Sequence, residues 1–132
     1  MIDGEVKVFN TMHAKIAPMC ARNKFVSTII TDPKTELPAG SLIELSNVTV
    51  RDMQGSEPVE NYSRVMYQLE IFAATKAKCR EIYAAADDTM LDMNFTRISG
   101  QYMDNVENTK VFRYVARYEA IIDRDGNLYR LS

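Results

Sequence analysis

The sequence predicts an α+β domain, an antiparallel β-sheet with an N-terminal helix and a central helix packed on one face. Three observations carry that expectation. In "RVMYQLEIFA", Val65, Tyr67, Leu69 and Ile71 alternate with Met66, Gln68, Glu70 and Phe72, the period-two pattern of a strand. Residues 111–122 repeat it: Phe112, Tyr114, Ala116, Tyr118, Ala120 and Ile122 point one way, and Val111, Arg113, Val115, Arg117, Glu119 and Ile121 the other. Between the two, apolar positions at Cys79, Ile82, Tyr83, Ala86, Met90 and Met93 step by three and four residues, which is helical spacing.

The first helix is expected to open after Asp3, whose carboxylate suits an N-cap, with Glu5 in the first turn. Val6, Phe9, Met12 or His13, and Ile16 give it an apolar face. Pro18 lacks an N–H and its ring clashes with the preceding turn, so the helix stops near Ile16. "KFVSTII" reads as a short strand. "TDPKTELPAG" is turn material, because its prolines and Gly40 set backbone angles that strands avoid. "SLIELSNVTV" reads as a strand of imperfect alternation: Leu42, Val48 and Val50 share a parity with Glu44 and Ser46, whereas Ile43 and Leu45 take the other. The polar stretch 51–64, with Gly55 and Pro58, is expected to be an exposed, mobile loop.

Thr75 is a candidate N-cap for the central helix. Asn94 suits the left-handed residue that closes it, after which Phe95 folds back on the last turn. "FTRISGQYM" and the strand at 111–122 are joined by the polar turn "DNVENT". "DRDGN" is a compact turn, and "LYRL" a last short strand.

At 132 residues the chain suits one domain, residues 1–132, and a chain this long buries roughly two-thirds of its unfolded surface without disulfide or metal staples. The formal net charge of −2 gives no basic excess for DNA, RNA or an acidic membrane. The start "MIDGEVKVFN" has neither the basic nor the apolar region of a signal peptide, and nothing approaches the run of about 18 apolar residues of a membrane span. Cys20 and Cys79 sit in helical patterns, and a reducing cytoplasm leaves them as free, buried thiols. The N-x-S/T triplets at Asn47, Asn61 and Asn94 are then chance matches.

Catalytic arrangements are few. His13, the one histidine, precedes Cys20 by seven residues, roughly 10 Å along a helix axis, too far for a Cys–His nucleophile pair. It reads as a surface or packed residue. Asp88 and Asp92, four apart with Asp87 beside them, have the spacing of paired carboxylates that hold Mg²⁺ or share a proton. Their place on the polar side of the central helix makes a solvated charged face the expectation. "DRDGN" opens like a calcium loop, but Ser132 stands where the bidentate Glu belongs, so a hairpin turn is expected. No Gly-rich phosphate loop, CxxC or Ser-centred elbow occurs. The expectation is a protein without enzymatic activity, metal or cofactor.

A nucleic-acid-reading strand is the alternative for "VFRYVARY". Such a sheet displays aromatics on its open face, but Tyr114 and Tyr118 share a parity with the residues fit to lie under helices. The opposite parity mixes Arg113, Arg117, Glu119, Glu70 and Gln68 with Val115, Met66 and Phe72. A solvated face carries fewer large apolar groups, and this mixture suits a protein–protein contact, the alternative being that other helices or loops of the same chain cover it. The expected self-association surface is therefore Met66, Gln68, Glu70, Phe72, Arg113, Val115, Arg117 and Glu119.

Several segments in order, "MIDGEVKVFN", "LPAGSLIEL", "ENYSRVMYQLEIFA", "KAKCREIYAAADDTMLDMNFTR" and "NTKVFRYVARYEAIIDRDGNLYR", cover nearly the whole chain. Together they resemble the tail terminator (tail-completion) proteins of long-tailed bacteriophages, especially those of Gram-positive hosts. The departures are Leu37, where an aromatic is common before the proline, and the undiagnostic segment from Pro18 to Pro38. The resemblance implies a small α+β subunit of a hexameric ring in the virion, at the tail–neck junction, assembled in the host cytoplasm. Such a ring caps the major tail tube protein, ends its polymerisation and meets the head-completion or stopper protein, while DNA passes through the channel without specific binding. The polar extensions 52–63 and 103–110 are the expected partner contacts, through Asp52, Met53, Gln54, Glu57, Glu60, Asp104, Asn105 and Glu107. A neighbouring head-closure role at the same junction is the nearest alternative, and a small nucleic-acid-binding domain the more distant one.

Overall fold

A computed structural model describes residues 2–22, 24–28, 37–50, 62–103 and 111–130. Helix α1 (Glu5–Ile16) runs into a 3-10 turn at Ala17–Met19 and the two-residue strand β1 (Phe25–Val26). Strands β2 (Ala39–Thr49) and β3 (Tyr62–Ala73) follow, then helix α2 (Lys76–Asp92), β4 (Thr96–Met103), β5 (Phe112–Asp123) and β6 (Leu128–Tyr129). The sheet order is β1-β2-β3-β5-β4, with β6 pairing the far end of β5. β2, β3, β5 and β4 are antiparallel to their neighbours, while β1 lies parallel to β2 through Phe25 and Val26. The architecture is α+β as expected, and that short pair makes the sheet mixed.

Both α-helices bury their apolar stripes on the same face. Val8, Met12 and Ile16 of α1 and Cys79, Ile82, Ala86 and Met90 of α2 join Leu42, Val65, Tyr67, Leu69, Ile71, Ala116, Tyr118, Ala120 and Ile122 in one core. Small side chains at Ala116 and Ala120 leave room for the large neighbours Tyr67 and Tyr118, both essentially inaccessible. Among the described residues no helix is long and apolar enough to cross a membrane.

Pro18 ends α1 at Ile16, as its chemistry requires, and is absorbed in the 3-10 turn. The N-cap is Gly4 rather than Asp3, whose carboxylate instead accepts from the Glu5 N–H at 3.1 Å. The buried face of α1 is also rotated from the expected one. Val8, Met12 and Ile16 point inward, while Val6 is 69% exposed and His13 lies outside, its ring 6.1 Å from that of Phe25. Phe9 is half-buried, stacked on Phe25 at 5.5 Å.

α2 follows its sequence signals closely. Thr75 is the N-cap and its hydroxyl accepts from the Lys78 N–H at 3.2 Å. Asn94 has φ +72°, and Phe95 returns to the core with its N–H on the Met90 carbonyl at 3.1 Å. Cys79 is buried and Cys20, just past the 3-10 turn, is half-buried; both are free, and burial pushes each thiol up to about 11.

The irregular alternation of β2 is a β-bulge. Glu44 pairs with Tyr67 and Ser46 with Met66, so Leu45 is an extra residue. Up to Glu44, even positions of β2 face the helices. Beyond it, Asn47 and Thr49 do so, and Val48 turns to the other face at 59% exposure. β4 carries a second bulge at Ile98, between Arg97 and Ser99. Of "KFVSTII", only Phe25 and Val26 form a strand, and Ile29 and Ile30 lie outside the described residues. Of the expected loop 51–64, residues 62–64 instead open β3, where Ser63 and Arg64 pair with both β2 and β5, while 51–61 and the turn 104–109 lie outside the described residues.

Candidate functional site: the open face of the sheet

Register fixes which side chains meet on the face away from the helices. Across β2, β3, β5 and β4 the rows read Ser41, Glu70, Val115, Gln101, then Ile43, Gln68, Arg117, Ser99, then Ser46, Met66, Glu119, Thr96. Phe72 and Arg113 head the array, and Arg64 and Ile121 close it. All eight residues expected at the self-association surface therefore share one face, but Glu70 and Phe72 are 5% and 4% exposed, already covered within the single chain and not free for a second copy. No described α-helix packs there.

A polar ladder runs down the middle of this face. The Arg113 guanidinium meets the Glu70 carboxylate at 2.8 Å, and Gln68 Nε2 donates to the same oxygen at 2.9 Å. Arg117 Nε donates to Gln68 Oε1 at 3.2 Å. The amide thus accepts from one arginine and passes a donor on to the carboxylate that holds the other. Arg113 also lies over the Phe72 ring at 5.8 Å. Glu70 is only 5% exposed, and Ser41 is fully buried beside it. Among the described residues Ser41 Oγ, Thr96 Oγ1 and Arg113 Nε are buried without hydrogen-bond partners, and all three belong to this face. Phe72, Ala39 and Val111 form a separate small apolar cluster at its upper end. Half-buried Met66, Val115 and Ile121 intersperse the charges lower down.

The helix-covered face holds a second polar network. Tyr118 donates its hydroxyl to Asp87 Oδ1 at 2.6 Å, and the Arg97 guanidinium reaches the same oxygen at 3.3 Å. Arg97 also donates to the Tyr83 hydroxyl at 2.5 Å. Tyr83 packs against Tyr114, which meets Tyr102 edge-on at 4.9 Å, and the Lys76 ammonium lies 5.0 Å over Tyr102. Burial first, and then the carboxylate beside it, push the Tyr118 phenol far above its ordinary value. On the far side, Tyr67 donates to Glu44 at 3.4 Å. Burial, reinforced by the Glu5 and Asp3 carboxylates, raises Glu44.

Asp87 corrects the reading of α2. Asp88 and Asp92 are exposed as expected, but Asp87 does not share their solvated face; its side chain is 13% exposed. The missed signal is that Tyr83 and Asp87 stand four residues apart, flanking the buried stripe. Phe112 is the other exception, since it shares the covered parity but lies past the helices at 38% exposure. Tyr114 and Tyr118 are 7% and 0% exposed, so no open stacking platform exists at these positions.

"DRDGN" is a hairpin turn. The Asp123 carboxylate accepts from the N–H groups of Asp125 and Asn127, and Gly126 supplies φ +86°. Among the described residues no cluster of metal-ligating side chains occurs. Asp52, Met53, Gln54, Glu57, Glu60, Asp104, Asn105 and Glu107 lie outside the described residues. No protein-family model and no curated protein matches this chain.

Proposed function

We propose that this chain is a structural subunit of a long-tailed phage, a tail terminator whose copies form a ring on the end of the tail tube. One observation carries the reading. The sheet seals its tyrosines under helices and turns a mixed array of Arg113, Arg117, Glu119, Met66 and Val115, none of them fully buried, to the side without a described helix. Arginine among half-buried apolar groups is the composition of a protein contact. The ordered resemblance to tail terminators supplies the kind of contact, a ring of six that stops tube growth and presents a surface to the head-completion protein. The net charge of −2 suits a conduit, since strong phosphate binding hinders DNA passage.

The test is mass in solution together with images of the particle. The reading expects closed rings of the purified chain, and the same protein where tail tube meets neck. A strictly monomeric chain absent from that junction overturns it, and a position on the head side of the junction assigns a head-closure role instead.

A further inference from the structure

The sheet ends in two unlike edges. On one side, β1 takes the outer flank of β2 only at Gly40 and Ser41, so along residues 42–49 no described strand occupies it. On the other side, β4 pairs among the described strands only with β5, and every residue from 97 to 102 is exposed. Natural edge strands are blunted by charge, proline, bulges or short length. β4 has its bulge at Ile98 and its one charge at Arg97, and "ISGQYM" beyond them has neither charge nor proline.

The two edges match. One register row runs from Glu44 on β2 through Tyr67 and Tyr118 to Arg97 on β4. Beside each of these charged residues sits a bulged, large apolar one, Leu45 at 43% exposure and Ile98 at 49%. The β2 edge is an acidic corner, where Asp3 and Glu5 act on Glu44. At the other edge Arg97 meets Asp87 but keeps 46% of its side chain exposed. Three successive antiparallel pairings make β4 run opposite to β2. A second copy placed along the sheet therefore brings its β2 antiparallel to β4 of the first, the orientation in which edge strands join.

We infer that β4 of one copy joins β2 of the next, with Arg97 and Ile98 of the first against Glu44 and Leu45 of the second. The inference rests on the ring reading and adds to the open-face surface a second copy-to-copy contact, along the sheet edges. Two different patches meet, as a contact that closes into a ring requires. Pairing β4 with β4 instead leaves the acidic corner unanswered.

Thiol crosslinking tests it. Leu45→Cys and Ile98→Cys are introduced separately into a Cys20→Ser background of the full chain, where Cys79 is inaccessible. A short bis-maleimide should give covalent dimers in a mixture of the two variants and only monomers from either alone. The double variant should give a ladder ending at the closed ring. Crosslinked dimers from Ile98→Cys alone, or intact rings by native mass with no crosslink in the mixture, overturn the edge contact and leave the ring reading standing. A parent chain that never assembles ends both. As an independent arm, Arg97→Glu and Glu44→Arg should each drop the ring to monomer, and the double variant should reassemble. Because Arg97→Glu also sets a like charge against Asp87 within the chain, the restored assembly of the double variant, not the single loss, is the decisive readout. Unimpaired rings in both single variants overturn the contact.

Discussion

Tyr118 and Arg97 end on one carboxylate oxygen of Asp87, so this residue ties α2 to β5 and β4 at once. Truncating it strands a fully buried hydroxyl and frees a guanidinium, and an unmade buried hydrogen bond costs more than a made one contributes. Asp87→Ala should therefore lose about 2–3 kcal/mol in urea unfolding, Asp87→Asn distinctly less, and the exposed Asp88→Ala within about 0.5 kcal/mol. Equal losses in all three would remove the assigned role. Polarity alone placed Asp87 in solvent, because nothing local says which flank of a helix a neighbouring tyrosine hydroxyl will reach. Glu44 is a residue held at a cost. Burial, with Glu5 and Asp3 nearby, raises it above the ordinary carboxylate value, so the folded chain binds that proton more tightly than the unfolded one. Stability then falls as pH rises from the unfolded value through the raised one. In the dilute, unassembled chain Glu44→Gln should melt higher than the parent at pH 7, by less than about 1 kcal/mol for a half-exposed group, with the gap closing near pH 4. A gap that widens on acidification contradicts the assignment.

Elements were legible where the local signal was sufficient by itself. α2 has its Thr75 cap, its stripe of apolar residues and its left-handed Asn94 in sequence order, and all three act as their chemistry dictates. Thr75→Ala should cost about 1 kcal/mol in thermal unfolding, because the Lys78 N–H loses its acceptor. An unchanged midpoint would mean that water replaces the cap fully. β3 and β5 were equally plain, since strict alternation leaves one assignment of faces. β2 was not. The conflict between Leu42 and Val48 was visible, but only pairing with β3 reveals that Leu45 is the extra residue and that parity reverses there. α1 misled for a different reason: its apolar residues fit two overlapping stripes, and contact with α2 and the sheet selects Val8 over Val6. The open face followed from parity alone. Its ladder through Gln68 did not, because cross-strand partners are set by register.

For the whole molecule, stability and assembly are one problem if the ring reading holds. The folded chain leaves Leu45, Val48, Ile98 and Tyr102 between 38% and 59% exposed along the two sheet edges, surface that only a folded partner can bury in register. A partner that binds the folded chain and not the unfolded one stabilises it by mass action, by about 1.4 kcal/mol per tenfold rise in concentration above the dissociation constant. The melting midpoint should accordingly climb with protein concentration, over the same range in which native mass shifts from monomer to ring. Arg97→Glu reverses the charge on one edge only, so it should flatten that climb, and the doubly reversed variant with Glu44→Arg should restore it. High salt should shift the assembly range upward, because a rim ion pair is screened within about 10 Å at 0.1 M. The apolar pair beside it is indifferent to screening and keeps the shift modest. A midpoint independent of concentration across the mass transition would mean that the contact forms equally well from unfolded chains, which no pairing of pre-formed strand edges can do.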